Sequence, residues 1–144
     1  MRLQLLALVA RVSGCMISVY LTAVHYSTVS LACPTSGPID CESVLSSSYG
    51  VIGGSSVPTA AAGIIWFAVS AGLAAASLRS RRQVLARLQL AWSAIGLLTV
   101  LYLVYVEIVR LGVICLWCSA AHVLVLLVFL IALPRGAHRA DATG

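Results

Sequence analysis

Charge is scarce in this chain. Only 9% of its 144 residues are Asp, Glu, Lys or Arg, against about 25% in an average soluble domain. With 61% hydrophobic residues beside so little charge, the chain cannot cover itself with polar surface. A water-soluble globular domain is excluded, and the bilayer is the remaining solvent. Lysine is missing altogether, so every positive charge is an arginine. The net charge of +5 would suit a nucleic acid, but no basic face with aromatic platforms exists to bind one. No nucleic-acid partner is expected. Internal repeats and low-complexity tracts are also absent.

What the chain does have is four apolar runs, each long enough to cross a hydrocarbon core of about 30 Å. They cover residues 3–26, 58–78, 88–109 and 113–133. The expected fold class is an all-α integral membrane protein, a four-helix transmembrane bundle over residues 1–134, followed by a disordered cytoplasmic tail at 135–144. Arg11 interrupts the first run and is expected to snorkel toward the cytoplasmic end. "VSGC" at 12–15 resembles a lipoprotein cleavage box, but Arg11 precedes it and the apolar "MISVYLTAV" follows it, so a retained span is expected. Small residues at helical spacing in the second run (Ala60, Gly63, Ser70, Ala74 and Ser77) predict close helix contacts.

The arginines fix an orientation. Arg79, Arg81, Arg82 and Arg87 lie between the second and third runs, and Arg135 and Arg139 follow the fourth. Arginine-rich loops stay in the cytoplasm, so both termini are expected there, in a multi-pass protein of the plasma or inner membrane. The connection at 27–57 contains neither Lys nor Arg and is expected on the extracytoplasmic side. Connections this long are often functional. "DCESVLSSSYG" within it predicts a short helix, with Asp40 as N-cap and Gly50 closing the turn.

Five cysteines are present: Cys15, Cys33, Cys41, Cys115 and Cys118. Four form two close pairs, and the topology puts both pairs on the same side of the membrane. "CLWC" at 115–118 opens the fourth run. Two intervening residues on a first helical turn bring two sulfurs within bridging reach, and helix N-terminal amides favour a thiolate. Cys115 is expected nearer the surface, as the thiol that exchanges with other thiols. Cys118, one turn deeper, would face a lipid-soluble oxidant. "CPTSGPIDC" at 33–41 can close into a disulfide or open to pair elsewhere. A mobile loop pair beside a membrane-edge pair suggests a relay by mixed disulfides. A haem site needs His after the second cysteine, where Ser119 stands; a zinc or copper site of four cysteines and a purely structural disulfide stay open.

Cys33, seven residues, Cys41, then "ESVLSSSYG", a Pro58-led span and a C-x-x-C opening the last span together resemble the vitamin K epoxide reductase family. "SVYLTAVHY" at the end of the first run is similar to that family's first-helix signature. The resemblance covers about residues 14–133. It implies a quinone-linked, disulfide-forming enzyme of the bacterial type without a fused thioredoxin-like domain. The partner would then be a separate thioredoxin-like or DsbA-like thiol protein, and the electron acceptor a membrane quinone, menaquinone or ubiquinone, with no metal. By the same resemblance Cys33 meets the reduced partner, Cys41 passes electrons to Cys115, and Cys118 delivers them to the quinone. Ser47 matches a family serine near the quinone. Two departures bear on the substrate. "VPTAAAG" lacks the quinone-contacting asparagine of the vertebrate enzymes, and His122 stands where they have tyrosine. Quinone reduction is therefore expected rather than epoxide reduction.

Beside that resemblance, His122 lies one turn beyond Cys118, where an imidazole could bond a quinone oxygen or pass a proton. Glu107 is an intramembrane carboxylate, which is functional by default, unless Arg110, three residues on, simply pairs with it. His25 is expected to be a solvated interface residue, and Trp66 and Trp92 packing aromatics. Three other functions compete. A DsbB-type enzyme would carry its C-x-x-C in the first outer loop. A non-enzymatic carrier of Zn or Cu(I) would bind metal tightly when reduced. A bare structural subunit would tolerate loss of Cys115 or Cys118.

Overall fold

A computed structural model describes residues 2–34, 36–80 and 82–140. Five α-helices account for most of them: α1 (Arg2–His25), α2 (Cys41–Ser46), α3 (Thr59–Arg79), α4 (Gln83–Tyr105) and α5 (Leu116–Ala140). A π-helical turn, Val106–Leu111, extends α4. Four of these helices are long and apolar enough to cross a membrane, and helices satisfy their own backbone groups where no water is available. The chain is a multi-pass membrane protein. Its outer surface carries large apolar side chains such as Leu6, Met16, Ile65 and Leu98, as a lipid-facing surface should.

The long helices form a ring. α1 packs on α3 and α5, and α4 packs on α3 and α5. Small residues decide where the helices approach. Gly14 of α1 makes room for the Phe67 ring of α3, and Gly96 of α4 makes room for the Trp66 indole; a Cβ at either glycine would collide with the ring. Gly63, one of the expected small contact residues, faces the Ser18 hydroxyl of α1. α3 and α4 are further joined by a reciprocal pair of bonds: Trp66 Nε1 donates to the Trp92 carbonyl (3.3 Å) and Trp92 Nε1 donates to the Trp66 carbonyl (3.2 Å).

Several sequence-based expectations change. Arg11 does not snorkel. It is buried, its Nε donating to Ser70 Oγ (3.2 Å) and its Nη1 to the Ala7 carbonyl (2.9 Å), because acceptors inside the bundle offer the guanidinium bonds that hydrocarbon cannot. α4 begins at Gln83, so Arg87 lies within a helix rather than in the loop. α5 starts only at Leu116, because residues 113–115 run extended against the outer loop. At its other end α5 continues through Pro134 to Ala140, where the sequence predicts a disordered tail; residues 141–144 lie outside the described residues.

The outer connection is ordered by turns and caps. Asp40 caps α2, accepting from the Ser43 N–H (3.0 Å) and the Ser43 hydroxyl (2.6 Å). These two bonds, the hydroxyl's first, hold the exposed Asp40 carboxyl below its ordinary value. After α2, Thr59 at the start of α3 donates its N–H to the Gly50 carbonyl (2.8 Å) and its hydroxyl to the Tyr49 carbonyl (3.0 Å). That tie seats α2 across one end of the bundle.

Candidate functional site

Two disulfides, Cys33–Cys41 and Cys115–Cys118, lie at this end of the bundle. Cys15 carries a free thiol. Backbone pairing brings the two disulfides together. The Asp40 N–H donates to the Ile114 carbonyl (3.1 Å), and the Ile114 N–H donates to the Pro38 carbonyl (2.8 Å). Residues 38–40 and Ile114 thus form a short parallel bridge. Cys41 and Cys115 are the next residues along their two strands of chain, and both are fully buried.

A second tie holds the loop just before Cys33. Trp117, inside the C-x-x-C, donates its Nε1–H to the Ala32 carbonyl (2.8 Å). The Ala32 N–H donates to the Tyr20 hydroxyl (2.7 Å), and the Tyr20 and Trp117 rings lie 5.1 Å apart. The sequence alone gives Trp117 no partner. The signal was its position one residue before Cys118, opposite a tyrosine near the end of the first run.

Cys118 faces the inside of the bundle as expected, but Cys115 is not at the surface. Cys115 is buried under the loop, while Cys118 is half-buried and faces a cavity inside the bundle. The extended stretch at 113–115 explains this. It tucks Cys115 beneath residues 38–40 before the helix begins, and the first turn of α5 then swings Cys118 inward. Cys118 N–H donates to Cys115 Sγ (3.2 Å), a bond that favours negative charge on that sulfur.

The cavity has a volume of about 420 Å³ and its walls are almost wholly apolar. Pockets of ~300–1,000 Å³ with few, placed polar groups are the usual form of small-molecule sites. Ser47 lies at its rim and donates its hydroxyl to the Val44 carbonyl (2.7 Å). His122 lies on its wall, and its Nδ1 is buried without a hydrogen-bond partner. His25, expected to be solvated, lines the cavity too, as do Trp66 and Trp92.

Glu107 is buried, faces the same cavity, and accepts from the Cys115 N–H through Oε2 (3.3 Å). It does not form the expected pair with Arg110, whose guanidinium lies in the neighbourhood of Tyr49 and Tyr105. Among the described residues, no group of three or more His, Cys, Asp or Glu converges in a metal-binding arrangement.

Membrane-crossing helices with two cysteine pairs joined at one end of an apolar cavity define a class, a membrane protein built for thiol chemistry. Residues 5–133 match the model of the vitamin K epoxide reductase family, and the chain belongs to that family. It is accordingly an oxidoreductase. A comparison with curated proteins finds no match.

Proposed function

We propose that this protein oxidises the dithiol of a separate thioredoxin-like or DsbA-like protein and passes the electrons to a membrane quinone, menaquinone or ubiquinone. One observation carries the reading. The inner disulfide joins a cysteine packed against the loop pair to a cysteine facing an apolar cavity. A relay needs those two faces.

The proposed steps are thiol–disulfide exchanges. A partner thiolate attacks Cys33, which is half-buried, and Cys41 leaves as a thiolate. Cys41 attacks Cys115, breaking the Cys115–Cys118 bond and freeing Cys118 beside the cavity. The partner's second thiolate attacks the mixed disulfide, so the partner leaves oxidised and Cys33 is freed as a thiolate. Cys33 then attacks Cys41, restoring the loop disulfide and releasing Cys115, whose sulfur is stabilised by the Cys118 N–H. When bound, a quinone supplies the two-electron acceptor that reoxidises the inner pair. An apolar cavity of this size fits such a ring, and the unpartnered His122 Nδ1 fits one of its oxygens; Ser47 at the rim is the second proposed contact. With alanine or threonine in place of the vertebrate asparagine, quinone reduction rather than epoxide reduction is the proposed reaction. The arginine distribution supports an orientation with both termini cytoplasmic and the cysteine pairs outside.

The test uses proteoliposomes containing quinone. A reduced thioredoxin-fold dithiol protein is supplied outside, and only molecules whose Cys33 reacts with an impermeant thiol reagent after reduction are scored as outward-facing. The reading expects one quinone reduced per substrate disulfide formed. Substrate oxidation without quinone consumption would refute it.

A further inference from the structure

We infer that Glu107 is the proton carrier of the inner dithiol, taking the proton of one thiol as the Cys115–Cys118 bond forms and releasing it into the cavity. This rests on the quinone reading above.

Three features of Glu107 point the same way. First, it is 5% exposed within a membrane-crossing segment, where a carboxyl is expensive and is kept for a purpose. Its hydrogen-bond partner is the neutral Cys115 N–H, and among the described residues no cation lies against it. A carboxyl placed only to anchor a helix would gain more from Arg110, three residues on, with which it makes no ion pair.

Second, the backbone is bent to present it. The π-helical turn Val106–Leu111 begins at the residue before it and ends in Gly112, which adopts a left-handed conformation (φ 68°). The Gly112 and Val113 amides both donate to the Glu107 carbonyl. Such π-bulges concentrate at functional sites. Third, Glu107 shares the cavity with Cys118 and His122 while bonding the backbone of Cys115. It is therefore next to both the source of the protons and the space where they are consumed.

The chemistry balances. Forming the inner disulfide breaks two S–H bonds, makes one S–S bond, and releases two electrons and two protons. Glu107 accepts one thiol proton, holds it while no quinone is bound, and gives it up toward the cavity when one is, ending a full turnover as it began. Both electrons and both protons leave with the quinone as hydroquinone.

Two measurements test this. In quinone-free protein, the reduced-minus-oxidised infrared difference spectrum is recorded while a dithiol reductant sets the state of the inner pair. A carboxylic C=O band that shifts in D2O and disappears in Glu107→Gln is expected; its absence from the wild type overturns the inference. In single-turnover reoxidation of pre-reduced protein by a short-chain quinone, Glu107→Gln should slow the reaction by 10²–10⁴-fold, the usual contribution of a positioned acid–base group. Glu107→Asp, shorter but able to carry a proton, should be faster than Glu107→Gln. If Glu107→Gln instead matches the wild type or exceeds Glu107→Asp, the carboxyl is only a hydrogen-bond acceptor and the inference fails. A wild type that reduces no quinone defeats the quinone reading, and the infrared band then still judges Glu107.

Discussion

At the scale of the residue, the pairing of Asp40 with Ile114 has the most direct consequence, because it sets Cys41 beside Cys115. Removing the member of each pair that lies away from this junction should therefore leave a ready disulfide. The Cys33→Ala/Cys118→Ala double variant is expected to oxidise to an intramolecular Cys41–Cys115 bond, found by peptide mass mapping without reductant. Two free thiols, or a disulfide between two copies of the chain, would contradict the exchange order. Asp40 itself gives a pH prediction. Its folded carboxyl lies below the ordinary value because it accepts two bonds from Ser43. Its stabilisation of α2 is therefore fully present above the unfolded value of about 3.9 and is lost as pH falls through the lower folded value. Protection of the Ser43 amide from hydrogen exchange should drop over that range in the wild type, and Asp40→Asn, a good neutral cap, should remove the dependence. An unchanged pH dependence in Asp40→Asn would count against the cap. The cysteine pairs and the cap were legible in the sequence because spacing and residue type alone define them. The burial order of Cys115 and Cys118 was not, because it depends on three extended residues held by a partner segment more than seventy positions away.

At the scale of the element, α3 and α4 show how little polar bonding contributes beside packing. Interhelical hydrogen bonds in membranes average about 0.6 kcal/mol, so the Trp66–Trp92 pair supplies about 1 kcal/mol. Overpacking a close contact costs about 1–3 kcal/mol. Gly96→Val, which drives a side chain into the Trp66 indole, should therefore lower the thermal midpoint in detergent more than Trp92→Phe does. The reverse order would mean that the bonds, not the close approach, hold these helices together. The loop has its own anchor. Trp117→Phe removes the bond to Ala32 while keeping the ring against Tyr20. Amides around residues 28–34 should then exchange faster, with those of α3 unchanged; equal protection in both proteins would show that the bond orders nothing. The helices were legible because apolar runs of about twenty residues have few alternatives. The π-helical turn carries no such periodic mark, and without it the Glu107–Arg110 spacing reads as an ordinary ion pair. Arg11 was misjudged for a related reason: snorkelling is read from depth along one helix, whereas Ser70 comes from another.

At the scale of the whole molecule, one end of the bundle is polar, looped and rich in sulfur, and the cavity opens beneath it. The family membership makes the chain an oxidoreductase. The proposed function divides the labour between an outer pair for protein thiols and an inner pair for a lipid-soluble acceptor, which a clip of two backbone bonds holds together. The proposed orientation rests on the arginines and both cysteine pairs lying at opposite ends of the four spans in the sequence. The cavity was not legible there, since its walls come from helices far apart in sequence. The most direct test of the division is a single turnover. Fully reduced, metal-free protein is mixed anaerobically with a menaquinone analogue, and its thiols are trapped by a mass tag at successive times. The account predicts that Cys115 and Cys118 become a disulfide as the quinone is reduced, and that Cys118→Ala abolishes the reaction. If Cys33 and Cys41 are oxidised by quinone while the inner pair stays reduced, or if Cys118→Ala reduces quinone as well as the wild type does, the central claim is wrong.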